Sequence, residues 1–179
     1  MYKFTTDWFE FQKPIIQKYF PATDEKISIL EIGAFEGRST TFYIDNYLSH
    51  SNSHIDVIDP FNCNDQTTPV TENILETFIY NISISKYPNK ISFYKDFSIS
   101  VLPTLNKTYD YITIDASHLS HDVLIDTVLS YRLLAEGGTM FFDDYGNDGV
   151  RKAVDSFMDC FSEKMEKIYS GYHYIAKKK

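Results

Sequence analysis

The 179 residues carry a formal net charge of −8 and are 43% apolar, which suits one globular domain with a sizeable core spanning residues 1–179. Apart from Lys177, Lys178 and Lys179 the basic residues are scattered, so no stripe that would neutralise nucleic-acid phosphates is visible, and no run approaches the ~20 apolar residues that span a bilayer. Cys63 and Cys160 are too few for a disulfide framework and lack the close pairing of a metal knuckle, and the charged first dozen residues are unlike a signal peptide; the expected setting is the cytoplasm, with reduced thiols and no membrane.

Asp7 followed by Glu10 has the spacing of a capping box and opens a helical segment within residues 1–21, which Pro14 is expected to break or restart before Pro21. Ile27 to Ile32 is a short β-type run that stops at Gly33, and after Gly37 the residues Tyr43, Ile44, Tyr47 and Leu48 recur at helical spacing. His54 to Asp59 reads as a second strand ended by Pro60. Phe61 to Val70 is polar and turn-rich, a mobile loop expected near the active site, and Ile74, Leu75, Phe78, Ile79 and Ile82 mark one face of a helix.

Ile91 to Tyr94 is a third strand, Ser98 to Leu105 a short helix and Tyr109 to Ile114 a fourth strand. Ser120 can cap a helix carrying Leu124, Val128, Tyr131 and Leu134, which Gly137-Gly138 would terminate. Thr139 to Phe142 is a fifth strand, Val150, Val154, Phe157, Met158 and Phe161 outline another helix, and Lys164 to Ala176 can form a closing hairpin. Strands alternating with helix-length crossovers predict an α/β fold: a doubly wound, mainly parallel seven-stranded sheet with helices on both faces and an antiparallel C-terminal hairpin. The abundant Tyr and Phe leave material for a dimer interface.

Ligands of such sheets bind beyond the carboxyl ends of the strands. Four of the five ends carry an acidic residue, and the remaining one, Tyr94, stands two residues before Asp96. The first end, Glu31-Ile32-Gly33-Ala34-Phe35-Glu36-Gly37, has the spacing G-x-x-x-G, not the G-x-G-x-x-G that places a pyrophosphate on a helix. It resembles the first motif, E-x-G-x-x-x-G, of class I methyltransferases, which have a Rossmann-like sheet. The resemblance implies S-adenosyl-L-methionine as cofactor and S-adenosyl-L-homocysteine as product, with Glu31, Gly33, Ala34 and Gly37 around the methionine part. Asp59, about twenty residues past the glycine turn, can accept hydrogen bonds from the ribose hydroxyls. Asp96, with Phe97 beside it, falls where the family contacts the adenine. Singly, Asp59 also reads as a turn former and Asp96 as the cap of the helix at Ser98; in order after consecutive strands, the three acidic positions reinforce one another.

The fourth strand ends Ile114-Asp115-Ala116-Ser117-His118 and the fifth ends Phe142-Asp143-Asp144-Tyr145. Three carboxylates at neighbouring strand ends repel unless protonated or bridged by a cation, and an all-oxygen cluster suits Mg²⁺, Mn²⁺ or Ca²⁺ better than zinc. IDASH and GGTMFFDDY resemble a subfamily of small-molecule and sugar O-methyltransferases with I-D-G-[SD]-H-x-Y and G-G…D-D-Y patterns, to which Asp126 and Tyr145 also conform. The resemblance implies Asp115, Asp143 and Asp144 as metal ligands, Mg²⁺ foremost, and His118 or Asp115 as general base. Ala116 replaces the usual glycine, and Ser120 stands where an aromatic is common. His121 is a second imidazole nearby; His50, His54 and His173 carry no functional expectation. The competing readings are a metal-independent O- or N-methyltransferase with His118 as base, a non-catalytic S-adenosylmethionine-binding domain and, weakest, a nicotinamide-dependent oxidoreductase. The expected acceptor is a small molecule or sugar, not nucleic acid.

Overall fold

The computed structural model describes residues 1–62 and 73–179; positions 63–70 of the expected loop lie outside the described residues. In chain order the elements are α1 (Phe9–Tyr19), β1 (Ser28–Ile32), α2 (Arg38–Tyr47), β2 (His54–Ile58), α3 (Ile74–Ser83), β3 (Ile91–Tyr94), α4 (Ser98–Val101) with a 3₁₀ turn (Leu102–Thr104), β4 (Tyr109–Ile114), α5 (Ser120–Tyr131), β5 (Leu134–Phe142), α6 (Asp148–Cys160), β6 (Met165–Ser170) and β7 (Tyr174–Lys178). The strands form one seven-stranded sheet in the order β3-β2-β1-β4-β5-β7-β6. β1 to β5 run parallel, and β7 pairs antiparallel with both β5 and β6. The expected doubly wound sheet with its C-terminal hairpin is thus the observed architecture.

Alternation along the strands divides the core into two layers. Leu30, Ile32, Ile112, Met140 and Phe142 face one side, where they meet Val150, Val154 and Phe157 of α6 and Val123 of α5. Ile29, Ile55, Val57, Tyr111 and Phe141 face the other, against Ile16 of α1, Tyr43, Ile44 and Tyr47 of α2 and Phe78 of α3. The chain leaves β1 toward β2 on one flank and β4 toward β5 on the other, so the order reverses between β1 and β4, and their carboxyl ends open a crevice. No helix among the described residues is long and apolar enough to cross a membrane.

Four local expectations are corrected. α1 runs unbroken through Pro14, with Trp8 at its amino end and no side-chain cap; Asp7 contributes its carbonyl, 2.9 Å from the Glu10 N–H. Pro14 and Glu10 are both exposed, so water can take the Glu10 carbonyl that the missing N–H leaves over, while buried Phe9, Gln12 and Ile16 hold the helix to the core. Gly137-Gly138 do not end a helix: α5 stops at Tyr131, and both glycines lie within β5, where Tyr109 pairs with Leu134 but Tyr111 already pairs with Thr139. Gly137 at φ +73° absorbs that bulge with the same conformational freedom that suits glycine to a helix end. Ser120 begins α5 without capping it; Ser117 makes the local bonds instead, accepting from the Leu119 N–H at 3.1 Å and donating to Asp122 at 2.8 Å.

The tightest backbone approach in the fold is at Gly33, which has φ +88°; a Cβ built there would lie 1.8 Å from the Asp115 carbonyl oxygen. Gly33→Ala is therefore expected to cost about 3 kcal/mol or more, read as a lowered midpoint in urea unfolding. A variant as stable as the parent would contradict this packing.

Candidate active site

The ladder continues one step past four strands. The N–H of Gly33 donates to Ile58 O at 2.9 Å, that of Asp59 to Tyr94 O at 3.1 Å, that of Asp115 to Ile32 O at 2.9 Å and that of Asp143 to Ile114 O at 3.1 Å. Gly33, Asp59, Asp115 and Asp143 consequently stand in one row on the carboxyl edge, flanking the crevice.

On the β1–β2 side the carboxylates organise the glycine turn. Buried Glu31 accepts hydrogen bonds from Ser39 and, at 2.5 Å, from Thr40, tying the first turn of α2 to β1. Burial, opposed by those hydroxyls and assisted by Asp115 and Asp59, pushes its pKa up to about 8. Asp59 Oδ2 accepts from the N–H groups of Ala34 at 2.7 Å and Phe35 at 2.9 Å, and Oδ1 from Phe61 N–H at 2.5 Å. These bonds fix Phe35 at φ 49° and leave only part of the carboxylate's acceptor capacity for a ribose. Gly37, at φ +80°, starts α2, and a Cβ there would press on Phe78 at 2.8 Å. Glu31, Gly33, Ala34, Gly37 and Asp59 are thus brought together around one turn.

Asp96 and Phe97 stand at the next position along the edge, both exposed; Asp96 accepts the Phe97 N–H at 2.7 Å and does not cap α4. Ser98 bonds Asp126 at 2.5 Å, fastening α4 to α5, and burial raises Asp126 to about 6.

Asp115, Asp143 and Asp144 each offer a carboxylate oxygen, all within 4.8 Å of one another. Asp144 holds φ 49° to turn into the cluster. Four side chains meet the three acids. His118 Nε2 lies 2.8 Å from Asp144 Oδ2. Gln12 Nε2 donates to Asp115 Oδ2 at 2.9 Å and Asp143 Oδ2 at 2.5 Å. His173 Nδ1 lies 2.5 Å from Asp143 Oδ1, an ion-pair distance at which neither atom is aligned for a hydrogen bond. The Tyr172 hydroxyl bonds Asp144.

The acids titrate apart. Burial, with Asp143 next to it, drives Asp115 well above the usual carboxylate range. Burial and then Asp144 push Asp143 up to about 7. Asp144 is held below its ordinary value, chiefly by the His118 hydrogen bond. His173 is lowered by burial, against the pull of Asp144 and Asp115.

The structure places Asp115, His118, Asp143 and Asp144 together and adds Gln12, Tyr172 and His173, to which the sequence assigns no part. Gln12 had a signal: it shares the helical face of Phe9 and Ile16, where a polar residue needs a reason. Tyr172 and His173 sit in the β6–β7 turn, and only the antiparallel pairing of β7 with β5 carries them to the site. His121 turns away, 3.3 Å from Asp122 on its own helix, and Tyr145 gives its hydroxyl to Asp155 at 2.8 Å.

Residues 30–145 match a family model described as a methyltransferase domain, a span well over half of the chain. Uncharacterized protein R132 of Acanthamoeba polyphaga mimivirus is 27% identical over 121 residues, covering 68% of this chain and 52% of that protein, so the match spans about half the relative's length. Among solved structures, the O-methyltransferase from Bacillus cereus in complex with SAH aligns with a TM-score of 0.69 at 14% identity over 99% of this chain and 83% of that one. TomG of Streptomyces achromogenes, an O-methyltransferase of tomaymycin synthesis in complex with SAM, aligns at 0.67 and 12% identity, covering 98% and 81%. An rRNA methylase from Streptococcus thermophilus gives 0.67 at 12%, covering 98% and 99%. At these identities the likeness is one of fold, and it runs from end to end. With the family model matched across β1 to the end of β5, the chain belongs to the methyltransferase-domain family of class I, S-adenosylmethionine-dependent enzymes.

Proposed function

We propose that this methyltransferase acts on a hydroxyl of a small molecule, a sugar being the acceptor class its motifs resemble, with a divalent cation, Mg²⁺ foremost, held by Asp115, Asp143 and Asp144. The observation that carries the reading is the position of the acidic cluster: it adjoins the glycine turn through the Gly33–Asp115 contact, so an acceptor at the cluster is next to the expected methyl donor. The donor set fits a hard cation, being all oxygen, convergent within 4.8 Å and including a buried Asp143 oxygen without a hydrogen bond. Such a cation, when bound, makes an acceptor hydroxyl easier to deprotonate.

His118 takes the proton that the acceptor hydroxyl loses as its oxygen bonds to the methyl carbon and the carbon–sulfur bond breaks. Asp144, 2.8 Å from Nε2, orients the ring and stabilises the imidazolium. Asp115 is the poorer base, because as a ligand its oxygens would be committed to the cation. Exposed Trp8, Phe11, Leu119 and Tyr172 stand on the segments that supply the cluster, and suit the apolar faces of a small ring. The charge of −8 and the acidic site disfavour a phosphate-rich acceptor. Because the His118–Asp144 pair is complete by itself, a metal-free version of the same transfer is the second reading; it requires Asp143→Ala to keep most activity.

Calorimetry with S-adenosylhomocysteine, followed by turnover on a panel of hydroxylated small molecules, tests the assignment. EDTA is expected to abolish turnover and Mg²⁺ to restore it; chelator-insensitive turnover removes the cation. His118→Ala should lower kcat by about 10²–10⁴-fold with cofactor affinity unchanged.

The raised carboxyls also set a pH dependence. Glu31 at about 8, Asp143 at about 7 and Asp115, also raised well above the usual carboxylate range, bind protons in the folded state that the unfolded chain releases near pH ~4. Their contribution is complete below that and is lost as pH rises through 7 to 8. In EDTA, stability should therefore fall as pH rises from about 4 toward about 8, by on the order of 1 kcal/mol per pH unit for each group while it stays protonated in the folded state, and level off beyond that group's raised pKa. Saturating Mg²⁺ should remove the share of Asp115 and Asp143 and leave that of Glu31, as thermal melts across this range would record. A flat profile in EDTA would show that these carboxyls are not buried as described.

A further inference from the structure

α1 carries one polar side chain on its buried face. Gln12 is 4% exposed, a placement that is costly for an amide unless its hydrogen-bonding groups are met. Both donors of its –NH₂ are used, on Asp115 and Asp143, which lie 103 and 131 positions away in the chain. The flanking residue is engaged as well, since His173 bonds the Phe11 backbone. The amide nitrogen therefore sits between two carboxylates, where the local field calls for positive charge and a neutral –NH₂ supplies only its dipole.

A primary amide has a donor end and an acceptor end of nearly the same shape, exchanged by a half turn about its last bond. With nothing positive between Asp115 and Asp143, the nitrogen must face them, because the oxygen would add a third repelling acceptor. With a hard cation between them the preference inverts, and the carbonyl oxygen becomes a good neutral ligand. The exchange requires no displacement of α1.

We propose that Gln12 is a further ligand of the acidic cluster, delivered by α1, which bridges Asp115 and Asp143 through Nε2 and turns Oε1 toward a divalent cation when one binds. This rests on the reading that the cluster takes a cation, and assigns α1 a defined part in it: completing the site and reporting whether it is filled.

Mn²⁺ titration of the full chain, followed by the electron paramagnetic resonance of free Mn²⁺, tests the idea with wild type, Gln12→Leu and Gln12→Glu. Gln12→Leu is expected to bind Mn²⁺ about 10-fold more weakly or worse. Gln12→Glu should bind it more tightly than wild type, yet melt lower than wild type in EDTA, with Mn²⁺ reversing the deficit. Equal or tighter binding by Gln12→Leu would overturn the ligand role while leaving the cluster's cation intact. Should Gln12→Leu fail to fold, Gln12→Glu decides: binding no tighter than wild type overturns the role. If wild type itself takes up no Mn²⁺, the cation reading falls and the role of Gln12 falls with it.

Discussion

Between the ends of β1 and β4, Gly33 and the Asp115 carbonyl approach so closely that a methyl group would lie 1.8 Å from the oxygen. This contact aligns the two strands at the point where the sheet reverses its winding. It leaves the chain no freedom in where β1 stops: Gly33 must turn at φ +88°, Gly37 must turn again to start α2, and Asp59 closes the turn by accepting the Ala34 and Phe35 N–H groups. The same contact places Asp115, and with it the ladder step to Asp143, beside the glycine turn. The crevice and the acidic cluster are consequences of one packing constraint.

What could be read from residues alone follows from how local each cause is. The strand runs Ile27 to Ile32, His54 to Asp59, Ile91 to Tyr94 and Tyr109 to Ile114 are short apolar segments with acidic or glycine punctuation, and the row of strand-end acids came directly from where those runs stop. Where two outcomes share one local cause, the reading failed. Gly137-Gly138 could end a helix or relieve a strand bulge, and the pairing of Tyr111 with Thr139 selected the bulge. Pro14 forfeits a hydrogen bond in any helix, but its exposed position leaves the Glu10 carbonyl open to solvent. Ser120 has the right chemistry for a cap, yet Ser117 lies where the bonds can be made.

The parts of the site contributed from afar were the least legible. His118 shares a loop with Asp115, and the motif reveals both. Gln12 and His173 reach the cluster from the two ends of the chain, through the docking of α1 and through the antiparallel return of β7 along β5. No spacing within either segment encodes that meeting; only the polar residue on an apolar helix face hints at it for Gln12.

The buried carboxylates of this molecule differ in whether a cation meets their charge. Asp56, on β2, is 1% exposed, yet its pKa is lowered: burial would raise it, but His54, Lys107 at 2.5 Å and Tyr109 at 2.8 Å outweigh that effect. Its charge is met by Lys107 and Tyr109 on Oδ2 and by His54, 3.7 Å from Oδ1, an oxygen that like Asp143 Oδ1 has no hydrogen bond. Asp143 is buried and Asp115 half-buried at the same sheet edge, and they meet an amide, a histidine whose pKa burial lowers, and each other. Evenly compensated charge locks a fold; charge left under-compensated in a crevice stores a preference for whatever positive species arrives. The described residues show the first condition at Asp56 and the second at the carboxyl edge between β1, β4 and β5.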